Sequence, residues 1–336
     1  MDEILNKVSE LIEKSNNISV EIKPIVKAIC RGYIRESNCK ISVDGIINVC
    51  NTVFEKVDED DYSFTGEERI FGYTNTDYDD NCNIIHKMQY INDPNYIKLI
   101  TILTHELGHV ITEPRPCEIS ADGLYPIIKR TTTFYLKCKY QDNKLYAYNV
   151  FGHRMSDGFL ESICTKIFAS NEFREELLHS GYDLKDYVYK DERLFPSRVY
   201  DEYKACFELF DYIMNGALFD FSCTFFDTNK DLINYVNKYK LNLLFQYLDK
   251  SNEALWTLKT YEGKEWNEEF GKLLDKYLEE KNMSLEVSKV FLEAYGKKED
   301  DEKFQQLYGI YSSMLEKQRL LPIPDEYLNS EEKQIS

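Results

Sequence analysis

The sequence predicts an α+β fold: a small mixed sheet and one deeply buried helix in the middle of the chain, with mainly helical sequence on either side. Three observations predict it. Residues 96–111, YIKLITILTHELGHVI, are apolar on nearly every helical face, the mark of a helix set inside a domain rather than on its surface. Residues 81–91, NCNIIHKMQYI, are rich in β-branched and aromatic residues with partial alternation, so Asn83 to Ile91 is predicted as a strand. At both ends of the chain the apolar residues return to helical spacing.

The elements follow in order. The N-terminal stretch MDEILNKVSELIEK places Ile4, Leu5, Val8, Leu11 and Ile12 on one face of an amphipathic helix. Its early acids are unlike a secretory leader. Residues 1–55 are predicted to be mostly helical, and KVDEDDY (56–62) to be a polar break. The strand Asn83 to Ile91 is predicted to offer an edge along which an extended peptide could pair. Asp93 and Pro94 supply an N-cap and a first helical residue for the buried helix. That helix ends near Thr112, before Pro114 and Pro116, and a loop with a turn at 120–123 follows. IIKRTTTFYLKCKY, the turn QDNK and LYAYNVF are predicted as a hairpin. Gly152 breaks it, and a helix runs from Ser156 to Ala169. From about Leu184 onward helical patterns dominate, including DEYKACFELFDYIMNGALFDF and SLEVSKVFLEAYG, with KKEDDEK as a solvated connection or helix end. Three regions result: a helical one at 1–55, a catalytic core at 56–183 and a helical one at 184–336.

Composition limits the function classes. The chain has 336 residues, 43% of them hydrophobic, so a substantial core can be buried. The net charge of -18 argues against a nucleic-acid partner, because phosphate binding needs clustered Lys and Arg. It also argues against an anionic membrane surface, and no stretch is apolar for the length of a bilayer span. The nine cysteines are scattered with no CxxC pair, which fits a reducing, cytoplasmic setting better than a disulfide scaffold. Oligomeric state is not encoded in any of these patterns.

The chemistry lies in His105-Glu106-Leu107-Gly108-His109. Residues i and i+4 share a helix face, so His105 and His109 can present two imidazole nitrogens to one ion. Glu106, at the edge of that face, can reach a metal-bound water without ligating the metal. Zinc lowers the pKa of such a water, and the carboxylate takes its proton as a carbonyl is attacked. The plainer account is a pair of core histidines with an incidental Glu. Against it, two imidazoles and a carboxylate on a buried helix are costly unless paired. Gly108 is unfavourable in a helix by about 1 kcal/mol, and its place here suggests that another element passes close by.

A third ligand must come from farther along, because the positions three and six residues after His109 are Thr112 and Arg115, which excludes the metzincin spacing. The next candidate is RMSDGFLESICTKI, where Asp157 and Glu161 lie four apart. SDGFLESICTKI resembles the NEGFxEY stretch of gluzincin-type zinc peptidases. The resemblance implies a zincin-like core, Zn2+ as cofactor and a peptide or protein as substrate. It implies that Asp157 ligates the metal and that Glu161 orients a histidine ligand through its second nitrogen. Asp stands where Glu is usual and is one methylene shorter. Either the helix sits closer, or Glu161 takes the metal and Asp157 supports it. The layout after this helix is similar to that of zinc-peptidase-like proteins of Firmicutes.

For stabilising an oxyanion, His153 and Arg154 lie just before the carboxylate helix, and Tyr200 and Tyr203 follow it. His153, four residues before Asp157, is also a fallback ligand. His86, on the predicted edge strand, and His179 are expected to be structural or exposed. The expected function is a zinc endopeptidase with Glu106 as base. Two alternatives stand beside it: a silent zinc-fold binding or regulatory protein, and a zinc hydrolase of a non-peptide amide.

Overall fold

A computed structural model of the chain describes residues 1–57, 72–78, 84–91, 94–112, 116–122, 125–131, 135–141, 144–150, 153–191, 200–224 and 287–319. The fold class is α+β. Helices α1 (Asp2–Lys14), α2 (Lys23–Glu36) and α3 (Val43–Asn51) lead into β1 (Val53–Val57), β2 (Gly72–Tyr78) and β3 (Ile84–Ile91). The buried helix is α4 (Tyr96–Thr112). A second sheet follows, made of β4 (Pro116–Asp122), β5 (Tyr125–Thr131), β6 (Tyr135–Gln141) and β7 (Lys144–Val150). Then come α5 (His153–Ala169), α6 (Asn171–His179), α7 (Asp201–Ile213) and α8 (Ala217–Thr224), and a last described helix at Glu302–Arg319.

The first sheet is mixed, in the order β1-β3-β2. β1 runs parallel to β3 and β2 antiparallel to it, with Gly72 opposite Tyr90 and Tyr78 opposite Ile84. This corrects one expectation: the strand Asn83 to Ile91 is central, not an edge. Its alternation reflects one covered face, with His86, Met88 and Tyr90 all buried. That alternation is the same whether one or both of a strand's edges are paired. Among the described residues, β2 and β1 are the edges.

Other boundaries also move. The region predicted as helical to residue 55 closes instead on β1, whose VFEKV favours a strand. The break at 56–62 lies mostly outside the described residues. Helix α4 starts at Tyr96, two residues after the predicted Pro94, and Asn95 caps it by accepting from the Ile97 N–H at 3.0 Å. The segment after α4, predicted as a loop, forms β4. IIKRTTTFYLKCKY is two strands rather than one, so the hairpin becomes a four-stranded antiparallel meander. The long pattern after residue 200 breaks at Asn215 and Gly216, with φ of 58° and 81°. An Asn-Gly pair in the left-handed region is a helix stop.

One apolar core runs from Leu5 through the α2, α4, α5 and α7 contacts to Tyr311. Of α4, Ile100, Leu103, Leu107, Val110 and Ile111 are all buried, as its sequence predicts. Two glycines set how closely its neighbours approach. A Cβ on Gly108 would lie 2.2 Å from Tyr33 Oη and 2.8 Å from Leu160 Cδ2, so α2 and α5 both cross α4 there. Tyr33 Oη donates to the Thr104 carbonyl at 2.9 Å, which satisfies the buried phenol. A Cβ on Gly158 would lie 2.3 Å from the Tyr203 carbonyl oxygen, which presses α5 against the backbone of α7.

These contacts predict opposite outcomes for two Gly→Ala changes. At Gly309, on the last helix, an added Cβ meets nothing within 4 Å, so Gly309→Ala should stabilise by about 0.5–1 kcal/mol. At Gly158 the same gain in helix propensity is outweighed, because the obstacle is backbone and cannot rotate away. Gly158→Ala should destabilise by about 1–3 kcal/mol. Urea midpoints at constant m-value check both.

Candidate metal centre

The site forms where α4 and α5 meet. On α4, the His105 and His109 Nε2 atoms are 3.2 Å apart, with the rings at 78°. From α5, Asp157 Oδ1 comes within 3.7 Å of His109 Nε2. Ligand atoms of these three residues all lie within 4.8 Å of one another. His105 and Asp157 are buried, while the His109 side chain is 31% exposed, so the cluster opens to solvent on the His109 side. Two zinc–imidazole bonds at a tetrahedral angle would set their nitrogens about 3.3 Å apart. The donor set and its spacing therefore fit a metal ion, and this group could hold one.

Glu161, one turn beyond Asp157, approaches the other side of His105. Its Oε1 lies 2.7 Å from His105 Nδ1. The pair is in ion-pair contact, with the ring N–H imperfectly aligned on the oxygen. A proton on Nδ1 leaves the Nε2 lone pair facing His109 and Asp157. Of the two assignments open in the sequence, this geometry puts Asp157 in the group that could hold a metal and Glu161 behind His105.

The electrostatics follow from burial and these contacts. Burial would raise the Glu161 pKa, but the Lys190 ammonium and His105 hold it down to about 2. Burial also disfavours the His105 imidazolium. The close contact with the Glu161 carboxylate and its charge outweigh that and raise its pKa. The Lys190 Nζ contributes a second 2.7 Å contact to Glu161 Oε1.

Glu106 lies on the opposite edge of the cluster, towards β2. Thr74 Oγ1 donates to Glu106 Oε2 at 2.8 Å. Two residues earlier on the same strand, a Cβ on Gly72 would be 3.0 Å from Glu106 Cγ and 2.5 Å from Ile102 Cγ2. Only a glycine there lets β2 lie this close to α4. Tyr200 covers His105 face to face, with centroids 5.2 Å apart and planes at 11°. Its pKa is pushed well up, first by burial and then by the Asp157 and Glu106 charges, so at neutral pH it is a phenol with an O–H to donate. Tyr203 packs behind it, centroids 5.6 Å apart, and is buried.

Compared with models of known protein families, with curated proteins and with solved structures, the chain matches none.

The structure brings together His105, Glu106, His109, Asp157, Glu161 and Tyr200 from the sequence-derived candidates. His153 opens α5, one turn before Asp157, but its side chain and that of Arg154 lie outside the described residues. His86 is buried on β3 and His179 is exposed at the end of α6. Three residues at the site escaped sequence reasoning: Gly72, Thr74 and Lys190. Gly72 and Thr74 reach it from β2 and Lys190 from the segment after α6, and no local pattern marks any of them. No described helix is long and apolar enough to cross a membrane.

Proposed function

We propose that this chain is a zinc-dependent peptidase with a zincin-like core, in which Glu106 is the general base. The observation that supports it most is the convergence of three ligand atoms within 4.8 Å beside a carboxylate that is held apart from them by Thr74. His105, His109 and Asp157 would hold the ion, which is a common catalytic zinc set of two imidazoles and one carboxylate. Bound zinc supplies a water of lowered pKa and a Lewis acid for the scissile carbonyl.

The remaining roles belong to the chain. The Thr74 hydroxyl occupies Glu106 Oε2, which leaves Oε1 to take a proton from the attacking water and return it to the leaving amine nitrogen. Glu161 keeps the His105 ring in the orientation that points Nε2 inward. The Tyr200 phenol, whose ring stacks on His105, is an O–H donor that suits a developing oxyanion. β2 carries Gly72 and Thr74 to the site and pairs with β3 on one side only among the described residues. An extended peptide adding to its other edge would pass Glu106, which makes β2, not β3, the substrate strand.

Metal analysis of protein purified without chelator tests the reading. About one zinc per chain is expected, and His105→Ala should lose it. A chain that neither holds nor takes up zinc, or that holds another metal at that stoichiometry, would refute the zinc assignment. A peptide-library digest then separates a peptidase, which cuts, from a zinc-binding protein, which does not.

A further inference from the structure

Lys190 enters the site from neither helix nor strand, and its backbone is held in an unusual state to do so. Its φ is 54°, a left-handed conformation that costs a non-glycine residue of order 1 kcal/mol or more and persists only where surroundings enforce it. The enforcing contacts are specific. From α6, Arg174 donates to the carbonyls of Leu184 at 2.6 Å and Tyr187 at 2.7 Å, and also to Phe168 at 2.8 Å on α5. The Lys190 N–H donates to Tyr187 Oη at 3.1 Å. That phenol is itself 2.8 Å from Thr101 Oγ1 on α4. The segment is thus tied directly to α6 and α4, and through Arg174 to the end of α5.

The side chain then touches two things that touch His105. The Lys190 Nζ lies 2.7 Å from Glu161 Oε1, the same oxygen that meets His105 Nδ1. It also lies 4.9 Å from the centroid of the Tyr200 ring, which stacks on His105, a cation–π distance. The Glu161 side chain is 1% exposed and that of Lys190 14%. A carboxylate so deeply buried needs a counter-charge, and a strained backbone supplies one from an otherwise unrelated loop.

We propose that Lys190 is a positioning residue for the metal centre: it neutralises Glu161 and locks the Glu161–His105–Tyr200 stack so that His105 Nε2 stays aimed at His109 and Asp157. The inference rests on the zinc reading above. Outer partners of metal ligands typically contribute 10–100-fold in affinity, and that is the effect expected here.

Zinc affinity is measured by chelator competition on the full chain, together with the visible spectrum of the cobalt-substituted protein. Lys190→Met should weaken zinc about 10–100-fold and alter the cobalt bands. Lys190→Arg, which restores the charge, should bind within about threefold of wild type with an unchanged spectrum. A lysine serving stability alone would lower the melting temperature without moving either readout. If Lys190→Met does not fold, Lys190→Gln, which keeps a donor but no charge, is read in the same way. Wild-type affinity in the uncharged variant that folds overturns this inference and leaves the zinc reading intact. A wild-type chain that takes up no zinc in the same titration overturns both.

Discussion

Glu106→Gln is expected to abolish peptide cleavage while leaving the metal in place. The substitution is isosteric, and the amide oxygen can still accept the Thr74 hydroxyl that now donates to Glu106 Oε2 at 2.8 Å. Nothing else in the cluster need move, because the atoms that could hold a metal belong to His105, His109 and Asp157. What disappears is a carboxylate able to take a proton. Positioned general bases contribute about 10²–10⁴-fold, so kcat/KM should fall by that factor or below detection, with zinc stoichiometry unchanged. Activity retained in this variant would remove Glu106 from the mechanism. Activity and zinc lost together would show that Glu106 supports the ligand set rather than the proton transfer.

The second large effect distinguishes the two acids of α5. Asp157→Ala removes a ligand atom and should weaken zinc by more than the roughly 10–100-fold that outer partners contribute. Glu161→Gln keeps an acceptor beside His105 Nδ1 and should fall within that range. Competition titrations with a chromophoric chelator give both numbers. The reverse ranking would assign the metal to Glu161 and the supporting role to Asp157. The geometry favours the first order, because Glu161 Oε1 is already engaged by His105 Nδ1 and Lys190 Nζ, each at 2.7 Å. A shared oxygen with two close cationic or N–H partners is poorly placed to serve a metal as well.

Much of this site can be traced to local rules. Helical spacing puts His105 and His109 on one face and Glu106 at its edge. It does the same for Asp157 and Glu161 on α5. The unfavourable Gly108 signals a close crossing, and Tyr33 and Leu160 are what cross it. The Asn215-Gly216 stop was equally local, yet the apolar pattern running through it concealed the break between α7 and α8. β1 was concealed for a related reason, since a five-residue strand is too short to show its own period beside three helices.

By itself, then, the sequence determined which candidate residues share a face along α4 and along α5, because an i, i+4 relation is a property of one helix and needs no partner. Only the tertiary structure decided which acid lies with His105 and His109 in the group that could hold a metal and which stands behind His105, since that depends on how α5 crosses α4. It also decided that β3 is central and β2 the edge beside Glu106. Alternation along a strand records which face is buried, whereas edge or centre depends on hydrogen bonds to strands elsewhere in the chain. For the same reason Gly72, Thr74 and Lys190 could not be read in advance. Their neighbours at the site lie roughly 29 to 34 residues away or more in the chain, and no one-dimensional pattern encodes a meeting made by packing.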